Sequence, residues 1–283
     1  MKLLRKALPN WKAFLVPILF QLSIVVLLYF LNQVYGSLYD SIQQYNKYGI
    51  WSSIIKFSIL AFILVLCGGY GSFVNNMLVL KMRCKLFDTL SKGIKRTEDI
   101  QQAQKLQEDV HRVCDTVVEL GSAILKAIIK LPLFAYVIAS LTQWWVASII
   151  IILVIVGTVA TKMMSKGLVT SQSHRESTEA KFRISLMNDR GLITIPNHVK
   201  IAFLEWNKEL KSLLFLQNGL GQMFALLPFI LLMPLYLTKS ITLGAFFQSV
   251  NGLAKVVDSL SVLIDNRTLI ASLYTSIERL EKL

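Results

Sequence analysis

Gln107–Lys130 reads QEDVHRVCDTVVELGSAILKAIIK, a stretch that runs from a charged beginning into an apolar segment yet keeps Glu119, Lys126 and Lys130. On a helix advancing about 100° per residue, Glu108, Arg112, Asp115, Glu119, Ser122, Lys126 and Lys130 fall within about 40° of one direction, a stripe roughly 33 Å long. What the stripe means depends on its solvent. In water it is a solvated helix face. In lipid it must meet a watery cavity or a partner, because a charged side chain inside a span costs several kcal/mol.

Composition settles the solvent. Apolar residues make up 54% of the 283 and charged ones 17%, and the mean hydropathy is +0.55, values that a water-soluble domain of this length could hardly hide. The uncharged runs Ala13 to Tyr39, Phe57 to Leu80, Leu131 to Thr161 and Ser212 to Thr238 each reach the roughly 20 residues that a spanning helix needs. Lys2, Arg5, Lys6 and Lys12 resemble the basic start of a signal peptide, but the apolar run after them is too long and lacks a small-residue cleavage site, so it reads as an uncleaved first span.

Leu131 to Thr161 is too long for one crossing and carries SLTQWW in its middle, which predicts a tight hairpin with Trp144 and Trp145 at headgroup level. LTKSITLG makes a similar short break, after which Ser240 to Ile270 continues as a last, more polar helix. The sequence therefore predicts an all-α membrane protein, one transmembrane domain over 1–283. It has six spans at approximately 13–35, 53–80, 117–140, 144–163, 214–237 and 242–270, and cytosolic excursions over approximately 81–115 and 164–212. Lysine and arginine concentrate at the N-terminus, in the two excursions and at the end of the chain. That bias predicts cytosolic termini and makes the formal charge of +13 mostly a topology signal, with attraction to anionic membrane lipid secondary. No aromatic-interleaved basic patch accompanies it, so no nucleic-acid partner is expected.

The second helix, read from Ser53 to about Ser91, would be roughly 60 Å long, about twice the hydrocarbon thickness, so it must project into the cytosol. Gly93 and Thr97 predict the turn of the first excursion and GLITIPN, Gly191 to Asn197, that of the second. Six spans with two long inner excursions match the layout of an ATP-binding-cassette exporter membrane domain. No GxxxxGK[ST] phosphate loop occurs, so an ATPase, if used, would lie on a separate chain. CGGYG at Cys67 to Gly71 lacks the third glycine of a dinucleotide loop and is expected to serve close helix packing. Pro132, Pro228 and Pro234 are expected to kink spans.

A second stripe lies on the last helix: Gln248, Asn251, Lys255, Asp258 and Asp265 share one side. Both stripes are expected to line an inner vestibule, with Asp258 as a candidate partner of Lys126. Cys67, Cys84 and Cys114 form no CxxC pair, and His111, His174 and His198 stand at no metal-ligand spacing. No catalytic constellation is present, so neither an enzyme nor a cofactor or metal is expected. In HRESTEAKFR, Glu179 and Arg183 are placed for an i,i+4 pair.

Several stretches resemble the SbmA/BacA family of peptide-antibiotic uptake transporters. LQEDVHRVCDTVVELG is similar to that family's VQED…R…LE…G, EAKFR at Glu179 to Arg183 to its EAxYR, and SLYDSIQ at Ser37 to Gln43 to its FYDxIQ. ITLGAFFQSVNGLAKVVDSLSVLI, Ile241 to Ile264, is similar to the run opening the family's last helix, with ITLG and Gln248 its most specific part. The resemblance implies an exporter-type fold without a nucleotide-binding domain, assembled as a domain-swapped homodimer in the bacterial inner membrane. It also implies proton-driven uptake of peptide-like solutes and makes Glu108 and Glu179 candidate proton carriers. Ser185 stands where the family has a second glutamate, and Lys126 and Lys130 replace neutral polar residues. Coupling needs a carboxylate whose proton affinity changes between accessibility states, and Glu119 and Asp258, deeper than Glu108, are equally placed for it. The leading expectation is a secondary transporter of peptide-like solutes. The alternative is the permease of an ATP-driven transporter with its ATPase on another chain.

Overall fold

The computed structural model describes residues 10–91, 100–142, 144–188 and 195–281, and every regular element among them is an α-helix. The helices are α1 (Lys12–Gln43), α2 (Lys47–Ser91), α3 (Ile100–Leu141), α4 (Trp144–Asn188), α5 (Asn197–Leu237), α6 (Leu243–Asp265) and α7 (Arg267–Glu281). Among the described residues four helices are long and apolar enough to cross a membrane: Lys12–Gln43, Lys47–Leu90, Leu106–Leu141 and Asn197–Leu237. The chain forms two compact units, one of Met1–Ile150 with Pro228–Leu283, the other of Ile151–Leu227.

In the first unit the connection between α1 and α2 is only Gln44 to Asn46, far shorter than the loop expected over Gly36 to Ser52. Local hydrogen bonding explains the economy. The amide of Asn46 donates to Ser41 O and that of Tyr45 to Ile42 O, closing a Schellman turn with Tyr45 at φ 55°. Asn46 then starts α2 by accepting the Gly49 amide on Oδ1 at 3.1 Å. The turn from α5 to α6 repeats the device: Ser240 N donates to Leu235 O and Lys239 N to Tyr236 O, with Lys239 at φ 59°.

The apolar core of this unit joins Leu78, Val79, Met82, Leu86 and Leu90 of α2, Val110, Val113, Cys114 and Val118 of α3, and Leu280 of α7. A buried hydrogen bond from Ser276 Oγ to Asp109 Oδ1, 3.0 Å, fixes α7 on α3. Between α3 and α6 the packing is dry where Gly252 lies against Phe134 and Ile138, beside buried Leu253 and Val256. In an aromatic cluster joining α1, α2 and α6, Tyr39 stacks on both Tyr35 and Phe247, while Phe57 meets Tyr35 and Phe246 meets Phe247 edge-on.

Two expectations need correction. The last helix does not run unbroken to Ile270: α6 ends at Asp265 and α7 begins at Arg267, and at the break both the backbone amide and Nδ2 of Asn266 donate to Val262 O. Of the CGGYG glycines only Gly71 packs against another helix, at Phe20 and Ile24; Gly68 and Gly69 face open space, Gly69 beside Tyr70 and Phe73. The expected turns at Gly93 and Thr97 and over Gly191 to Thr194 lie outside the described residues, whereas Pro196 directly precedes α5. Pro132, Pro228 and Pro234 all lie inside helices, the first in α3 and the others in α5.

The second unit is an antiparallel pair made by α4 from Ile151 and α5 up to Leu227. Phe224 covers Gly157, Glu209 covers Gly167, and the Arg175 guanidinium stacks on Trp206, 4.0 Å from the ring centroid. His174 Nδ1 stands 3.9 Å from Glu205 Oε2 in the same seam.

Candidate functional site

The stripe on α3 survives folding as one face. Glu108, Arg112, Asp115 and Glu119 are exposed, Ser122, Lys126 and Lys130 are half-buried, and Val110, Val113, Cys114 and Val118 turn into the core. Its members are not equivalent. Glu108 is held by Arg112 through a 2.6 Å ion pair within the helix. Glu119 makes no hydrogen bond or ion pair with any described residue. Ser122 accepts from Asn75 Nδ2 of α2 at 3.2 Å, which carries the polar face onto a second helix.

Deeper along α3 the partner is α6. Lys130 Nζ lies 3.9 Å from Asp258 Oδ2, with side chains 16% and 57% exposed respectively. The expected partnership of Asp258 with Lys126 is thus corrected by one helical turn, because the register is fixed by Gly252 seating between Phe134 and Ile138. Lys126 and Lys255 are both near enough to Lys130 to act on its charge. Gln248 and Asn251 are half-buried farther along α6; the Gln248 backbone carbonyl accepts from Asn32 Nδ2, and its amide side chain fills the space over Gly36. Asp265 belongs to α6 by its backbone, and its side chain lies outside the described residues.

Glu179 sits in the second unit, where Oε1 meets Arg175 Nε at 3.5 Å; the side chain of Arg183, its expected i,i+4 partner, lies outside the described residues. The proton-carrier candidates therefore differ in kind. Glu108 and Glu179 are each tied to an arginine on their own helix, Asp258 is shared between helices, and Glu119 stands alone among the described residues.

Sequence reasoning missed the junction of α1 with α6. A helix begins with unpaired amides, and α6 begins against the end of α1, which supplies acceptors. The amide of Leu243 donates to Gln43 Oε1 at 3.0 Å, that of Gly244 to Asp40 Oδ1 at 2.8 Å, and that of Ala245 to Thr242 Oγ1 at 3.1 Å. Gly244 is required there, since a Cβ would collide with the Gly36 carbonyl and the Asp40 carboxylate. SLYDSIQ and ITLG, noticed separately in the sequence, are two halves of this one cap.

The family model for ABC transporter transmembrane region 2 matches residues 4–205. No curated protein matches the chain.

Proposed function

The chain belongs to the ABC transporter transmembrane region 2 family, and from that membership we propose that it is the solute-translocating membrane domain of a homodimeric transporter powered by ATP hydrolysis on an associated nucleotide-binding domain. Membership makes it a membrane protein of transport. The observation that carries the reading further is the polar face that keeps Glu119, Lys126 and Lys130 on α3, a helix apolar enough to cross a membrane, opposite Lys255 and Asp258 on α6 packed against it. Charge at such depth is tolerated where it borders water or solute.

In this proposal the protein resides in a bacterial inner membrane, crosses it six times and keeps both termini in the cytosol. The ends of α2 and α3, and of α4 and α5, project inward and receive the ATPase. The separate compactness of Ile151–Leu227 supports an exchange of that helix pair between two protomers. The domain carries out no covalent chemistry and binds no cofactor or metal; its work is to expose one face alternately to either side.

A second reading, proton-driven uptake of peptide-like solutes, is favoured by Glu119, which has no partner among the described residues, and by the SbmA/BacA resemblance. Proteoliposomes separate the two. Uptake of a labelled decapeptide that requires ATP and the nucleotide-binding partner, and is indifferent to a proton uncoupler, is the expected result. Uptake driven by a pH gradient without nucleotide, and lost in Glu119→Gln, would replace the first reading by the second.

A further inference from the structure

Lys130 of α3 lies 3.9 Å from Asp258 of α6, and Lys126 and Lys255, one turn away on the same two helices, bring two more ammonium groups near enough to act on Lys130. Lys130 stands roughly 16 Å from the helix end at Leu141, and Lys255 and Asp258 roughly 18 and 22 Å from the helix start at Leu243, at a rise of about 1.5 Å per residue. Two helices running in opposite directions thus bring their charges to the same depth, near the middle of a hydrocarbon layer about 30 Å thick. From there a lysine stem of a few ångströms does not reach the headgroups, and Lys130, only 16% exposed, is folded into the protein.

Among the residues whose side chains are described, Asp258 is the one carboxylate acting on Lys130, while Lys126 and Lys255 oppose it as like charges. Asp258 neutralises one of three cations, leaving two in excess. Like charges held this close repel one another, and an anion placed among them relieves the repulsion. Toward the hairpin end of α3 the seam closes at Phe134, Ile138 and Gly252, so the lysines lie at the head of the polar face that continues through Ser122 and Glu119.

We propose that Lys126, Lys130 and Lys255 form a binding subsite for an anionic group, a phosphate or carboxylate, with Asp258 limiting its affinity so that the group can be released. The ammonium is a compact point charge with three rotatable donors, suited to a phosphate that must come and go. Asp258, more than half exposed and only 3.9 Å from Lys130, competes with the guest for the same cation. Under the transport reading, on which this assignment of the guest rests, the anion belongs to the solute, and an anionic lipid drawn out of its leaflet into the cleft is the other source of the same chemistry.

The test uses the full chain in nanodiscs of phosphatidylcholine, with inorganic phosphate and trimethyl phosphate as charged and uncharged probes and thermal unfolding as the readout. Phosphate is expected to stabilise the wild type saturably and trimethyl phosphate to leave it unchanged. Lys130→Gln and the pair Lys126→Gln with Lys255→Gln should each weaken phosphate at least tenfold. Asp258→Asn should tighten it several-fold, a gain that no damaged fold produces. In parallel, nanodiscs containing phosphatidylglycerol are read by native mass spectrometry. Retention of that lipid falling in the same lysine variants supports the subsite with lipid as guest, and phosphate binding that falls with them supports it with solute. Phosphate and phosphatidylglycerol affinities that are both indifferent to the lysines, or weaker binding in Asp258→Asn, overturn it. Neither arm uses ATP or a gradient, so failed uptake in proteoliposomes with phosphate binding intact would sink the transport reading and spare the subsite.

Discussion

The first turn of α6 hands the amides of Leu243, Gly244 and Ala245 to Gln43, Asp40 and Thr242, whereas about three to four turns further along the same helix Asp258 meets Lys130, with Lys126 and Lys255 close enough to Lys130 to act on its charge. At the first place each described backbone donor has its acceptor and glycine meets glycine without room for a methyl group. At the second the charges do not balance. A polar group satisfied on all sides fixes structure; an unbalanced one inside apolar helices has a reason to bind something from outside.

Breaking the satisfied end should produce the largest structural effect. Gly244→Ala forces a methyl group into the Gly36 carbonyl and the Asp40 carboxylate, and is expected to destabilise the domain by about 2 kcal/mol or more, read as a lowered unfolding temperature in detergent. A wild-type melting curve would mean that α1 and α6 are not in contact there. Next comes the anchor of α7. Ser276→Ala leaves the buried Asp109 without this donor and should cost about 1–2 kcal/mol, seen as faster tryptic release of the C-terminal helix.

Membrane character, the long helices and the one-sided stripes were legible because they follow from composition and from a 3.6-residue period. Partners across helices were not. Nothing in a linear pattern distinguishes Lys126 from Lys130 as the mate of Asp258; the choice falls to the seating of Gly252 on Phe134 and Ile138, which is a matter of side-chain volume in three dimensions. Asp40 and Gly244 lie 204 positions apart, so their hydrogen bond leaves no local signature. Asn75, a polar interruption of an apolar run, was a visible signal of the contact with Ser122 that the reading passed over. The break at LTKSITLG was legible but the tight turn at Tyr45 was not, and at both Tyr45 and Lys239 the left-handed residue lacks the glycine that usually advertises it.

Those turns give a smaller effect of opposite sign. Lys239→Gly relieves a non-glycine residue at φ 59° and should raise stability by about 0.5–1 kcal/mol, with the unfolding temperature moving up rather than down. The smallest change belongs to the exposed pair. Glu108→Gln removes an i,i+4 ion pair and should cost less than about 0.5 kcal/mol, falling further at high salt.

The contrast between a sealed and an open stretch of α3 is tested most directly by labelling. With Cys67, Cys84 and Cys114 replaced by serine or alanine, single cysteines at Glu119, Lys126, Asn251 and Phe134 are exposed to a membrane-impermeant charged maleimide in vesicles open to both sides. The account predicts that the first three react and that Phe134→Cys stays protected. Protection at Glu119 and Lys126, or reaction only with a lipid-soluble maleimide, would contradict a water-filled path along this face.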